Sequence, residues 1–357
     1  MRDHAIKETT YEKASLEDYQ REILEIWPHL AERPALHTWA RVVQHATTAC
    51  EGMRRSDWSL VLKEIASTIV WWLAFIQKLN LLSKSSSCKT YEDDLVFGLP
   101  LSPTEIVWRK YPGVCPVEFG LAARNPATIA WKDRPGKVCR CLGRKREVED
   151  RTPEEKIRAK RALRSFAQMN RRHRSNNVKG IEDMFRRIFE GVVYQLSVQE
   201  VCFHFIEEIG EVSEALANAT VSECLNVRNS NKRTLVGERK EKLSGIAEEL
   251  ADVFSWSLAV VIKVQTLLMS FEKYVESRHE SRQLQKIRSV LKWSQHISLA
   301  GIIWQKYGLK AGRLLCEDCN RRPCMCISQR AQPLYSQALN ERQARMLLES
   351  SPEITMD

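Results

Sequence analysis

Four carboxylates stand out by type and spacing. Glu208 and Glu211 lie in the stretch Phe203–Leu216, and Glu249 and Asp252 in Ile246–Leu258, so an E-x-x-E and an E-x-x-D pair sit on two apolar segments. Both segments have helical periodicity: Phe205, Ile209, Val212 and Leu216 fall at i, i+4, i+7 and i+11, as do Ile246, Leu250, Val253 and the less apolar Ser257. With the stripes centred on Ile209 and Leu250, Glu208 and Glu249 lie about 100° to one side, and Glu211 and Asp252 about 160° to the same side. Carboxylates three apart on one helical face repel, and at the margin of a core they lose part of their water. Two such pairs facing each other therefore call for a cation, and an all-oxygen donor set suits Mg²⁺ or Mn²⁺. A single E-x-x-E is more often a solvated helix face; the second copy at the same angle on an otherwise apolar helix favours the metal site.

A second constellation is Cys316-x2-Cys319-x4-Cys324-x-Cys326. Four thiolates close tetrahedrally on Zn²⁺, and the C-x-x-C arm supplies two of them, so a structural zinc is expected. Buried reduced cysteines or a redox pair are the alternatives. Cys115, Glu118, Cys139 and Cys141 form a looser counterpart, either zinc-binding or metal-free. Lys263 falls three turns beyond Asp252 on nearly the same face, where it would meet a substrate phosphate or snorkel to solvent. His204, four residues before Glu208, reads as an ordinary surface or packed histidine, because Mg²⁺ avoids imidazole. Asn218 to Ser244, with Arg228, Lys232, Arg233, Arg239, Lys240 and Lys242, reads as a long polar loop. It would close over a polyphosphate, read a base, or be a plain insertion.

The elements that must position these groups are helical. Helix formers dominate and no sustained alternation of apolar residues occurs, so the expected class is all-α. A helix is expected around Leu16–Trp27, and two more between Leu36 and Asn80. The second of these, Lys63-Glu64-Ile-Ala-Ser67-Thr-Ile-Val-Trp71, runs in register with Glu248-Glu249-Leu-Ala-Asp252-Val-Phe-Ser-Trp256. Further on, Ile106-Val-Trp108-Arg-Lys110-Tyr111 matches Ile302-Ile303-Trp304-Gln-Lys306-Tyr307, and cysteines follow each. Setting Glu51 against Glu208 and Arg54 against Glu211 leaves the first copy with Glu51 and Glu64 but Arg54 and Ser67 in place of acids. The first copy then reads as one that has lost its metal site. Between the copies Thr152-Pro-Glu-Glu155 has capping-box form and starts a linker helix to Met169.

The motifs EEIGEVSEAL and EELADVFSWSL resemble the MazG-like nucleotide pyrophosphohydrolases, all-α relatives of the dimeric dUTPases, over roughly residues 176–270. Combined with the internal repeat, this resemblance gives the expected architecture: two tandem MazG-like helical bundles, each followed by a small cysteine-containing, zinc-type tail. The division is 1–141 (degenerate unit with cysteine tail), 142–175 (basic helical linker), 176–326 (catalytic unit with a four-cysteine zinc tail) and 327–357 (polar tail). It implies a nucleoside triphosphate substrate, Mg²⁺ (or Mn²⁺) held by Glu208, Glu211, Glu249 and Asp252, and release of a nucleoside monophosphate and pyrophosphate. Glu207 or Glu248, beside the pairs, would orient the water, the pattern fixing neither. Since two hairpins commonly pair in this family, an intramolecular pseudo-dimer is expected, with further homo-oligomers possible.

Composition sets the remaining bounds. Of the net charge of +10, the segment 142–175 contributes +7, from twelve Lys and Arg against five acids. Such a run is a solvated linker or, less often, a weak nucleic-acid contact. The rival function is accordingly a non-catalytic nucleotide- or nucleic-acid-binding regulator using the basic linker and zinc tails. Ile65–Ile76 is short and Leu250–Met269 is interrupted by Asp252 and Lys263, so no membrane partner is expected. The acidic first thirty residues do not read as a signal peptide, and eleven cysteines without a disulfide-like pattern point to a reducing, cytoplasmic setting.

Overall fold

The computed structural model describes residues 11–28, 35–85, 101–117, 119, 152–226, 232–277, 297–308, 314–316 and 321. Among these residues every regular element is helical: α1 (Leu16–Ile26), α2 (Ala35–Arg54), α3 (Trp58–Ser85), α4 (Pro103–Lys110), α5 (Pro153–Met169), α6 (Val178–Gln195), α7 (Val198–Asn226), α8 (Lys232–Ser277) and α9 (Leu299–Tyr307), with short 3-10 turns at Tyr11–Lys13 and Arg171–His173. The all-α expectation holds.

The same local chemistry builds corresponding helices twice. Ser15 caps α1 through the Asp18 amide, with Asp18 completing the capping box, and Asn177 caps α6 through the Gly180 amide. Behind the caps, α1 buries Leu16, Tyr19, Ile23 and Ile26, and α6 buries Val178, Ile181, Phe185 and Ile188 at identical spacing. Helix α2 buries Thr38, Val42, Ala46, Ala49 and Met53; α7 buries Val201, Phe205, Ile209, Val212 and Leu216, again with one spacing. Ser102 and Ser298 cap α4 and α9 through the amides three residues on. Linker helix α5 opens with the expected Thr152–Glu155 capping box.

The long hairpins α2–α3 and α7–α8 are the main packing units, and they meet through α2 against α7 and α3 against α8. Trp72 of α3 packs on Phe254 and its indole donates to the Leu250 carbonyl at 2.9 Å, in the middle of that contact. Across the other contact, between α2 and α7, Trp39 donates to Ser213, and Cys50 meets the Cys202 carbonyl. Short helices cross over. Helix α4 of the first half packs on α8 of the second, and α9 of the second on α3 of the first. Helix α5 lies on α4, where Trp108 donates to the Ala167 carbonyl at 2.9 Å.

Two sequence expectations change here. Much of the Asn218–Ser244 stretch is helical rather than loop: α7 runs to Asn226 and α8 begins at Lys232, and 227–231 lie outside the described residues. Polarity suggested a loop, but a proline-free polar stretch that continues two core helices satisfies its backbone by extending them. Trp58–Asn80 and Gly245–Phe271 are both long and apolar enough to cross a membrane, more so than the sequence reading allowed. In this fold, 78% and 61% of those windows are buried inside the protein.

Candidate metal centre

Helices α7 and α8 run side by side, so the flank shared by their buried stripes carries both acid pairs. Glu208, Glu211 and Glu249 each present a carboxylate oxygen, and these oxygens lie within 4.8 Å of one another. Oxygens bound to one Mg²⁺ at about 2.1 Å stand at most about 4.2 Å apart, so a small closing motion suffices. The donor set, all carboxylate, fits a hard divalent cation.

Asp252, the fourth acid expected from the sequence, is not one of the three whose oxygens converge; it is buried beside them and faces inward. Both its oxygens are engaged: Oδ2 by the Lys110 ammonium, and Oδ1 by the Tyr111 hydroxyl, which donates at 2.5 Å. Lys110 also lies 3.9 Å from Glu249 and donates to the Glu248 carbonyl at 3.3 Å. Helix α4 thus sends one lysine from the first half of the chain into the acids of the second half. The electrostatics follow. Burial, then Asp252, with Glu211 and Glu249 adding and Lys110 opposing, pushes Glu208 up to about 8. Burial is also the first cause of the raised Glu249 and Asp252 carboxyls, against the pull of Lys110. Burial alone would lower Lys110; Asp252 and Glu249 outweigh it and raise it. Negative charge at this spot is incompletely compensated.

The other half repeats the frame with different chemistry. Lys306 and Tyr307 from α9 reach α3, where Tyr307 and Ser67 share a 3.0 Å hydrogen bond and Lys306 pairs with Ser67 and donates to the Lys63 carbonyl at 3.1 Å. His45 Nδ1 lies 2.6 Å from Glu64, and Lys306 3.6 Å from the same carboxylate. The matched burial of α2 and α7 corrects the register read from sequence. His45 and Thr48, not Glu51 and Arg54, occupy the positions of Glu208 and Glu211. Glu51 corresponds to Glu214 and is paired on its own helix with Arg54 at 2.6 Å and Arg55 at 2.5 Å. Matching acid to acid misled, because Ala46 and Ala49 make the apolar stripe of α2 faint. The four positions hold His45, Thr48, Glu64 and Ser67 in one half, and Glu208, Glu211, Glu249 and Asp252 in the other.

Other expected site residues are placed as follows. Lys263 is buried and its ammonium donates to the carbonyls of Val193, Tyr194 and Leu196, so it closes the C-terminal end of α6. A phosphate contact would require breaking those bonds. His204 stacks on Trp256, with 4.6 Å between ring centroids, and lies 3.1 Å from Glu207. Glu248 is held by Lys160 and Arg164 of α5, each at 2.6 Å. Cys316 is buried, and its amide donates to the Arg321 carbonyl at 3.2 Å; Cys319, Cys324 and Cys326 lie outside the described residues. Cys115 is buried, and Glu118, Cys139 and Cys141 also lie outside them. Sequence reasoning missed Lys110 and Tyr111 as site residues. The repeated I-x-W-x-K-Y was visible, but its crossing to the opposite half was not.

No family model, no curated protein and no solved structure matches this chain, so the likeness to MazG-like pyrophosphohydrolases rests on the two acidic motifs and their apolar frame.

Proposed function

We propose that the chain is a divalent-metal-dependent nucleoside triphosphate pyrophosphohydrolase with one working centre. The observation that carries the reading is the clustering of Glu208, Glu211 and Glu249 beside buried Asp252, with Lys110 against Asp252 and Glu249. A fold that keeps so many partly desolvated carboxylates together gains nothing in stability from them, which argues for a cation as their purpose. Glu208, Glu211 and Glu249 would hold Mg²⁺ or Mn²⁺, with Asp252 joining when Lys110 withdraws. The bound ion would polarise phosphoryl oxygens and lower the pKa of a water.

Lys110 has the character of a built-in counter-ion. Its amine sits among the acids and is placed to move onto a phosphoryl oxygen when an ion takes its position. Tyr111 fixes the inner oxygen of Asp252 and so holds that carboxylate in register. Cleavage between the α and β phosphates is what the family resemblance implies. In this reading the two halves are tandem units that pair as the hairpins of two chains would, and the first serves as scaffold and donor of Lys110 and Tyr111. Its own acid, Glu64, is hydrogen-bonded by His45 and lies 3.6 Å from Lys306. A four-cysteine zinc tail after α9 and a cytoplasmic setting complete the proposal. Pyrophosphate release from a panel of nucleoside triphosphates with Mg²⁺ tests it; a wild-type chain that binds Mg²⁺ yet cleaves none of them would defeat it.

A further inference from the structure

Helix α5 brings cations to the acidic end of α8. Lys160 Nζ and Arg164 Nη2 lie 2.6 Å from the two carboxylate oxygens of Glu248, and Glu248 immediately precedes Glu249 of the candidate centre. Lys156, Lys160 and Arg164 recur every fourth residue, so they form one row on α5. The position on α3 that corresponds to Glu248 is Lys63, a cation, so this docking belongs to the α8 side.

Charge balance gives the row a purpose. Four carboxylates, Lys110 and one divalent ion sum to a net negative centre, which would repel a polyphosphate chain of about −4 unless cations stand at the rim. We propose that Lys160 and Arg164 form the subsite for the distal phosphates of a polyphosphate chain, a proposal that rests on the hydrolase reading above. Glu248 is then a placeholder: its two oxygens occupy the donors meant for phosphoryl oxygens. The side chains of Lys160 and Arg164 remain 64% and 38% exposed, so an incoming ligand can reach both, and it must offer more than Glu248, which is only 17% exposed and loses both partners in the exchange. A phosphate offers more charge and more acceptor oxygens than the carboxylate it displaces. The linker would thereby select triphosphates over monophosphates.

The test uses the full chain with Mg²⁺, in three forms: wild type, Lys160→Ala/Arg164→Ala, and Glu248→Gln. Binding of inorganic tripolyphosphate is measured by calorimetry, and KM and kcat are measured for whichever nucleoside triphosphate the wild type cleaves. The double variant should bind tripolyphosphate at least ~10-fold more weakly and raise KM with little change in kcat. Glu248→Gln, which frees the two cations, should bind tripolyphosphate as tightly or more tightly. A mere structural tie would make the two variants behave alike, because both lose the same ion pairs, and that result overturns the proposal. If the wild type cleaves triphosphates and the double variant keeps its KM and its tripolyphosphate affinity, the subsite is wrong and the hydrolase reading stands. If the wild type neither binds tripolyphosphate nor cleaves any nucleotide, both fall together.

Discussion

Replacing Lys110 by Met asks whether the acids around it are a cation site or ordinary surface. The ammonium touches Asp252 and lies 3.9 Å from Glu249. At an effective dielectric of about 20, one such pair at that separation is worth about 4 kcal/mol before desolvation is charged against it. Asp252 is buried, so removing its partner leaves a carboxylate with little water, and losses of this kind run to about 3–5 kcal/mol. With unfolding entropy of about 2.1 cal/mol/K per residue, 3 kcal/mol lowers the melting temperature of a chain this size by about 4 °C. Lys306→Met is the internal control. Its near partner Ser67 is neutral and Glu64 also has His45, so the expected loss is about 1 kcal/mol. Thermal unfolding after chelation should separate the two variants, and excess Mg²⁺ should restore most of the loss in Lys110→Met, since ligand binding to the folded state stabilises it. Equal losses in the two variants, or no recovery with Mg²⁺, would refute the reasoning.

Further outcomes are expected. Glu208, pushed up to about 8 from 4.5, holds protons in the folded protein that the unfolded chain has released at neutral pH. The stability this gives is full below about pH 4 and is lost as pH rises through about 8, so the chelated protein should be less stable at pH 8 than at pH 5.5 as far as this group decides. By the same linkage Mg²⁺ binding should release protons and tighten with pH until about 8; calorimetry in buffers of different ionisation enthalpy measures this, and a pH-independent affinity would contradict it. Protein prepared without chelator should carry about one Zn²⁺ per chain, and Cys319→Ser/Cys324→Ser should release it and destabilise the second half; a zinc-free preparation would remove that proposal. Arg158→Glu/Arg161→Glu should abolish any salt-sensitive nucleic-acid binding by the linker while leaving hydrolysis intact. Arg171 and Arg174 suit that test less well, because they lie 3.6 and 2.5 Å from Glu105 of α4.

What the sequence made legible was what local periodicity controls. The acid pairs could be set on one flank of α7 and α8 because strong residues, Phe205, Ile209 and Leu250, define those stripes. The cap of α5 was readable for the same reason: Thr152 acts on the amide three residues away. Long-range facts were not readable. Nothing in I-x-W-x-K-Y says that Lys110 will meet Asp252, which lies in the other half, rather than Ser67 in its own. The α2 register failed because Thr38, Ala46 and Ala49 bury little apolar surface and leave acidic residues as the louder signal. Lys263 looked available for phosphate by helical phase, but phase does not reveal that the end of α6 arrives with three carbonyls for it.

In the proposed function, hydrolysis depends on the acids of α7 and α8 and not on their counterparts in α2 and α3. The direct measurement is pyrophosphate release from a nucleoside triphosphate panel with Mg²⁺ by wild type, Glu249→Gln and Glu64→Gln, each checked for an unchanged fold. The expected outcome is release by wild type, loss of at least ~100-fold in kcat/KM for Glu249→Gln, and little change for Glu64→Gln. Equal damage from the two substitutions, or full activity in Glu249→Gln, would contradict it.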